Sequence, residues 1–253
     1  MSQLALLAGV APRVPDWCNL RLGDVGAGLA ELAAAGVRVD LVVADPPWQY
    51  DQRAGSASAA ASDEYACLPM GVIRDHLKAA ETMAAPGSRC LLWATWAKLP
   101  ELTGYCARYS GSDRVDLACW RWVSGGTWAK SDPPDEEGNR QVAPGMGYHL
   151  RSSQSEPFIV LAGPGPHRRA DVPGCWVAPG SGRHSEKPVD FQTLAVRGWC
   201  PPGGVVLDLY AGLGSVARAV ARAGEGRRYI GFEVDAERHA AALSLLAQDR
   251  GGV

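Results

Sequence analysis

The sequence predicts an α/β fold in which a doubly wound, mostly parallel sheet carries helices on both faces. Three observations lead there. The apolar run Asp40-Leu41-Val42-Val43-Ala44 stops at the rigid turn Asp45-Pro46-Pro47-Trp48. A second run, Val205-Val206-Leu207-Asp208-Leu209, enters the glycine turn Tyr210-Ala211-Gly212-Leu213-Gly214-Ser215. A third, Arg228 to Glu233, ends in an acid roughly 20 residues after those glycines, the spacing of a nucleotide-binding α/β unit. Short apolar runs bounded by turn residues and separated by helical patterns mark buried parallel strands, whose carboxyl ends carry the ligand sites.

The elements follow in order. Cys18 to Leu22 reads as a strand, Val25 to Ala35 as an Ala/Leu-rich helix and Val39 to Ala44 as the strand feeding the proline turn. Residues 51–64, rich in Gly, Ala and Ser, have too few large apolar groups to bury and are expected to form a mobile lid beside that turn. Leu68 to Ala85 has helical periodicity, Cys90 to Ala94 is a strand, Leu99 to Tyr109 a helix, and Val115 to Val123 alternates. Ser124 to Met146, with Pro133-Pro134 and the acidic run Asp135-Glu136-Glu137, reads as a polar loop too long to be a passive connector. Glu156 to Ala162 is a buried strand, and Gly163 to Gly182 a Gly/Pro-rich loop. Residues 124–182 are thus expected to supply substrate-recognition loops. Helices are expected over Val189 to Trp199, over Val216 to Ala223 with Ser215 as its cap, and over Ala236 to Gln248.

Composition fits one domain, residues 1–253, with 47% hydrophobic residues and no apolar stretch of membrane-spanning length. The apolar stretch from Leu4 to Val10 has no charged region before it and is too short for a convincing signal peptide. Seven cysteines, an odd number without Cys-x-x-Cys or Cys/His spacing, argue against disulfides and a metal site and for reduced thiols in a cytoplasm. Scarce lysine, frequent arginine and abundant Ala and Gly fit a GC-rich bacterial or phage genome. A net charge of −2 does not advertise nucleic-acid binding, so any phosphate contacts must be local or come from a partner subunit. The local candidates are Arg53, Arg151, Arg168, Arg169 and Arg183, although an arginine pair in a Gly/Pro loop is equally a solvated surface.

Two motifs carry chemistry. In Asp45-Pro46-Pro47-Trp48 each proline fixes φ and removes a donor, so the turn presents acceptors and no backbone N–H groups of its own prolines. A flat heteroaromatic amine suits it: the NH2 donates to Asp45 and to the Pro46 carbonyl, while Trp48, and in the same neighbourhood Tyr50, stack on the ring. Trp48 could equally be a caging residue of an ordinary strand-ending turn. The second motif, Asp208 to Ser215, lets backbone approach a ligand and starts a helix, but lacks the third glycine of the dinucleotide fingerprint. With Glu233 placed for ribose hydroxyls, it reads as a nucleoside-cofactor loop rather than an NAD site.

Together these segments resemble the S-adenosylmethionine-dependent adenine-N6 methyltransferases in the permuted order, with the Asp-Pro-Pro-Trp turn before the cofactor loop. More narrowly, the chain is similar to the eukaryotic mRNA adenine methyltransferases and their bacterial and phage relatives. Leu91-Leu92-Trp93-Ala94-Thr95, Gly145 to Arg151 ahead of the strand with Glu156, and Arg183-His184-Ser185-Glu186-Lys187-Pro188 fall in the family's order. The intact glycine loop departs from the mRNA enzymes and resembles the DNA-modifying ones. The resemblance implies a Rossmann-like class I methyltransferase fold with a seven-stranded sheet and S-adenosylmethionine as cofactor. It implies Asp45, Pro46, Pro47 and Trp48 as catalytic residues. It places Asp24, Asp45, His184, Ser185, Lys187, Asp208, Tyr210, Ala211, Gly212, Gly214, Ser215 and Glu233 around the cofactor. Asp24 is equally compatible with an N-cap, and Lys187 with a contact to the substrate backbone.

The expected activity is methyl transfer to adenine N6, in DNA ahead of RNA, with no metal, no membrane, and a homodimer or partner subunit as possible assembly. An RNA enzyme would share every motif. A small-molecule N-methyltransferase would explain the weak charge, and an inactive partner subunit would be expected to have lost one of the two motifs. Enzymes acting on cytosine amines typically begin the turn with Ser rather than Asp.

Overall fold

The computed structural model describes residues 15–49, 67–106, 120–141, 154–180 and 186–250. The strands are β1 (Cys18–Leu22), β2 (Val39–Ala44), β3 (Ala84–Trp93), β4 (Arg121–Ser131), β5 (Ser155–Ala162), β6 (Cys175–Pro179), β7 (Val205–Asp208) and β8 (Arg228–Glu233). The helices are α1 (Val25–Ala34), α2 (Met70–Thr82), α3 (Leu99–Cys106), α4 (Val189–Trp199), α5 (Ser215–Ala223) and α6 (Ala236–Arg250). None of them is long and apolar enough to cross a membrane.

The strands form one sheet in the order β1-β8-β7-β2-β3-β5-β4-β6. Its pairs are parallel except those of β5, which runs antiparallel to both β3 and β4. The alternation of each strand feeds two cores. Val42, Leu92, Ile159 and Leu207 pack under Leu29 of α1 and Ile73 and Leu77 of α2. On the other face, Leu41, Val43, Leu91, Val160 and Val206 pack under Phe191 of α4, Val216 and Val220 of α5 and Leu246 of α6. Trp93 anchors that second core with edge contacts to Phe158 at 5.3 Å and Phe191 at 5.6 Å, each worth about 1 kcal/mol beyond area burial.

Among the described residues eight strands, rather than the expected seven, make up the sheet, and the departures that change its strands lie within 124–182. That stretch contains most of β4 and all of β5 and β6. Ser124 to Ser131 has the pattern of a loop because Gly125-Gly126 interrupt its alternation, but a Cβ on Gly126 would lie 2.0 Å from the Gly174 carbonyl. The glycine admits the neighbouring backbone, the usual meaning of glycine inside a strand. β6 is a short edge strand ending at Pro179, hidden in a Gly/Pro-rich stretch. Beyond β4, the acidic run is an exposed turn in which Asp135 accepts from Asn139 N–H at 2.6 Å.

At the helix starts one expectation is corrected and one of two alternatives is observed. Ser215 does not cap α5; Gly214, at φ 76°, is its N-cap, and Ser215 Oγ accepts from Gln192 Nε2 at 2.8 Å. Asp24 is an N-cap of α1, with Oδ1 accepting from Ala27 N–H at 2.9 Å. The expected lid at 51–64 lies outside the described residues.

Candidate active site

The sheet order brings the two motifs together. β2 lies between β7 and β3, so the chain winds away from it in both directions, and the crevice beyond its carboxyl end is a topological switch point. Val43 is in register with Asp208, and Leu209 N–H donates to the Val43 carbonyl at 3.0 Å. The proline turn therefore emerges beside the glycine loop.

In that turn the Pro47 carbonyl accepts from Leu68 N–H at 2.8 Å. Among the described residues the Pro46 carbonyl and Asp45 Oδ1 accept no hydrogen bond. Asp45 Oδ2 accepts from Lys187 Nζ at 2.6 Å. Trp48 keeps only 5% of its surface and packs into the core beneath α1 and α2, so most of its indole serves the core rather than an open stacking face. Trp96, just past β3, is 45% exposed, with its edge fixed by Nε1–H donation to Ser155 Oγ at 3.1 Å.

Lys187, expected beside the cofactor or the substrate backbone, is 7% exposed and buried between two carboxylates, Asp45 and Glu156, the latter at 3.1 Å. The other Glu156 oxygen is 2.6 Å from Lys130 Nζ of β4. Burial alone would deprotonate Lys187, but the two carboxylates hold its ammonium above the ordinary lysine range. Burial likewise pushes Glu156 up, yet Lys187 and Lys130 hold it below the usual carboxylate range. At Asp45 burial wins against the Lys187 ammonium and raises the carboxyl. The segment before α4 is clamped as well: Arg218 of α5 holds Glu186 at 2.7 Å and Asp249 of α6 at 2.9 Å.

On the glycine-loop side, Gly212 and Gly214 have φ of 54° and 76°, which only glycine adopts cheaply. Glu233 pins the loop, Oε2 accepting from Gly212 N–H at 2.8 Å and Oε1 from Asp235 N–H at 2.9 Å, with a lone pair left on each oxygen. Asp208 is 1% exposed and accepts from the Tyr229 hydroxyl at 2.9 Å and Tyr210 N–H at 3.3 Å. Burial pushes its carboxyl up to about 7. The Tyr210 hydroxyl shares a 2.9 Å hydrogen bond with His76 Nδ1 of α2, a link the sequence does not suggest. Ala211 is buried, and its N–H donates to the Phe232 carbonyl at 2.8 Å.

Arg168 and Arg169 do not join this site. β5 is antiparallel, so the loop after it leaves the sheet at the edge opposite Asp45, where Arg89 Nη2 donates to the Arg168 carbonyl at 2.6 Å. Position in the chain between two motifs is not position between them in space. Tyr50, Arg53, Arg151, Arg183, His184 and Ser185 lie outside the described residues.

Glu156, Lys130, His76 and Trp96 escape sequence reasoning as site residues. For Lys130 a signal exists: it is one of four lysines in a chain whose basic residues are mostly arginines.

Comparison with known proteins adds to this geometry. The N6/N4 methyltransferase family model, described as DNA methylase, matches residues 162–244. No curated protein matches. Among solved structures, M1.HpyAVI in complex with SAM is 11% identical with a TM-score of 0.61, covering 90% of this chain and 99% of that one. TTHA0409, a putative DNA modification methylase from Thermus thermophilus, is 18% identical with a TM-score of 0.61, covering 93% and 96%. The PvuII DNA methyltransferase, cytosine-N4-specific, is 13% identical with a TM-score of 0.61, covering 93% and 89%. The chain has the Rossmann-like class I methyltransferase fold, and the family match covers its carboxyl-terminal third.

Proposed function

We propose that the chain is an S-adenosylmethionine-dependent methyltransferase that modifies the N6 amine of adenine in DNA. The observation that carries this is a pair of acceptors, Asp45 Oδ1 and the Pro46 carbonyl, that no donor among the described residues uses, on a donor-poor turn beside a glycine loop. The cofactor supplies an electrophilic methyl group. The residues of the glycine loop fit it: buried Asp208, satisfied among the described residues by neutral donors, suits a cationic group, and Glu233 is fixed with lone pairs to spare for ribose hydroxyls. The Gly214 end of α5 offers the loop's remaining donors.

An aromatic amine is a poor nucleophile because its lone pair is delocalised into the ring. Accepting its two hydrogens at Asp45 Oδ1 and the Pro46 carbonyl orients the amine and makes the lone pair available, with stronger hydrogen bonds as the nitrogen gains positive charge. Asp45 acts as the ionised acceptor. For duplex DNA the base must leave the stack, and the exposed face of Trp96 at the same rim offers a surface on which a base of the substrate strand stacks.

A second reading, transfer to cytosine N4, is favoured by the family model's breadth and the fold likeness to a cytosine-N4 enzyme. The Asp at the start of the turn favours adenine through the resemblance. One assay separates the readings: labelled methyl transfer to duplex DNA, single-stranded DNA and RNA, followed by digestion to nucleosides and mass spectrometry. N6-methyladenine from DNA is the expected product. N4-methylcytosine, or product from RNA alone, overturns the substrate and keeps the acceptor chemistry.

A further inference from the structure

Asp45, Lys187, Glu156 and Lys130 form a row of alternating charges across the sheet, from the turn after β2, the segment before α4, β5 and β4. Each Glu156 oxygen serves a different lysine: Oε2 faces Lys187 at 3.1 Å and Oε1 faces Lys130 at 2.6 Å. Both ammonium groups stand over aromatic rings, Lys187 5.6 Å from the centroid of Trp93 and Lys130 5.3 Å from that of Trp128. Those rings touch each other edge to face at 6.5 Å, so the lysines share one rigid floor. Lysine suits the position between Asp45 and Glu156 because a compact ammonium fits between two carboxylates, where an arginine fork would need more room.

We infer that Lys130 and Glu156 are positioning residues for Asp45: Glu156 fixes Lys187 on Asp45 Oδ2, Lys130 fixes Glu156, and Oδ1 is thereby turned to the substrate amine. This rests on the reading of Asp45 as the acceptor. The row has a second consequence. Lys130 favours the ionised form of Asp45 from a distance, whereas Glu156 opposes it. Lys187 lies nearest and favours ionisation, while Asp208 of β7 faces Asp45 as a like charge. Removing the Lys130 charge must therefore make Asp45 harder to ionise, and neutralising Glu156 must make it easier, while a Gln oxygen still accepts from an ammonium.

The test uses the full chain as wild type, Lys130→Met, Lys130→Arg and Glu156→Gln. Carboxyl 13C signals of aspartate-labelled protein are titrated with pH, Asp45 being assigned by its loss in Asp45→Asn. The same proteins are assayed for the pH dependence of kcat on adenine-containing DNA. The Asp45 midpoint moves alkaline in Lys130→Met, moves acid in Glu156→Gln, and stays near wild type in Lys130→Arg. The acid limb of kcat follows it. At neutral pH, Lys130→Met loses about tenfold in kcat through misorientation of Asp45, with cofactor affinity unchanged. Midpoints that stay put, or move the same way in both variants, overturn the assignment. Opposite shifts without methyl transfer by the wild type uphold the row and overturn the methyltransferase reading; transfer with unmoved midpoints does the reverse.

Discussion

The two halves of the crevice bury carboxylates in opposite ways. On the glycine-loop side Asp208 is satisfied by neutral donors, a tyrosine hydroxyl and a backbone N–H, and burial pushes its carboxyl up to about 7. On the proline-turn side Glu156 is also enclosed, yet two lysines hold it ionised. A buried acid satisfied by neutral groups is pushed toward its neutral form and ionises more readily beside a cation, whereas a buried acid already held by ammonium groups is a structural strut. The first arrangement suits a cationic cofactor, and the second suits an acceptor that must keep one orientation.

The largest effects should come from breaking the strut. Lys187→Met leaves Asp45 and Glu156 facing each other with no ammonium between them, which costs about 3–5 kcal/mol of stability, read as a lowered denaturation midpoint, and abolishes turnover. Asp45→Ala abolishes turnover while cofactor affinity, measured by calorimetry, stays near wild type. Loss of cofactor binding in that variant would erase the division between the halves.

Asp208→Asn probes the other half, and its sign depends on pH. The native carboxyl keeps its proton up to about pH 7, whereas an unfolded aspartate releases it near pH 4. The folded state therefore binds the extra proton between those values, and wild-type stability falls as pH rises through that window. The asparagine variant escapes this loss: its melting temperature should match wild type near pH 4 and exceed it by roughly 10 °C at pH 8. In the wild type, cofactor affinity should rise with pH through about 7 as Asp208 ionises, and in the variant it should be weak and flat. A variant that gains no stability at high pH would place Asp208 with the struts.

How much of this was legible depended on whether position or partnership was in question. The strands ending at Ala44 and Asp208 could be read because buried parallel strands are short apolar runs closed by turn residues, and both glycines of the loop adopt the positive φ that their presence implied. β4 could not, since its glycines answer to a backbone carbonyl that only the folded sheet brings near. Asp45 and Lys187 were each visible within motifs. Their mutual pairing was not, because 142 residues separate Asp45 from Lys187 and no local period records such a contact. Lys130 was hidden twice, in a strand with the pattern of a loop and as a charge whose partners lie on other elements.

A smaller effect is expected at Trp96, where the comparison extends from the crevice to its rim. Trp96→Ala removes an exposed stacking face without disturbing the row of charges, so polymer affinity should weaken by about 1–3 kcal/mol while cofactor affinity and the pH profile hold. Fluorescence anisotropy with a labelled oligonucleotide reads this directly, and Trp96→Phe should recover part of the loss.

The smallest effect, and the sharpest check on the geometry, is expected from Arg168→Ala together with Arg169→Ala. A contact to a substrate phosphate would make log affinity less steep in log salt by about one unit per arginine removed. The antiparallel course of β5 puts both residues at the edge of the sheet opposite Asp45, with the Arg168 carbonyl held by Arg89. Substrate engaged at the carboxyl ends of β2 and β7 does not reach them. Affinity should change by less than about twofold and the salt slope should not move, since exposed charges further than a Debye length from the substrate are screened. A slope reduced by about two units would mean that the substrate wraps from one edge of the sheet to the other, and the crevice would then be only part of its path.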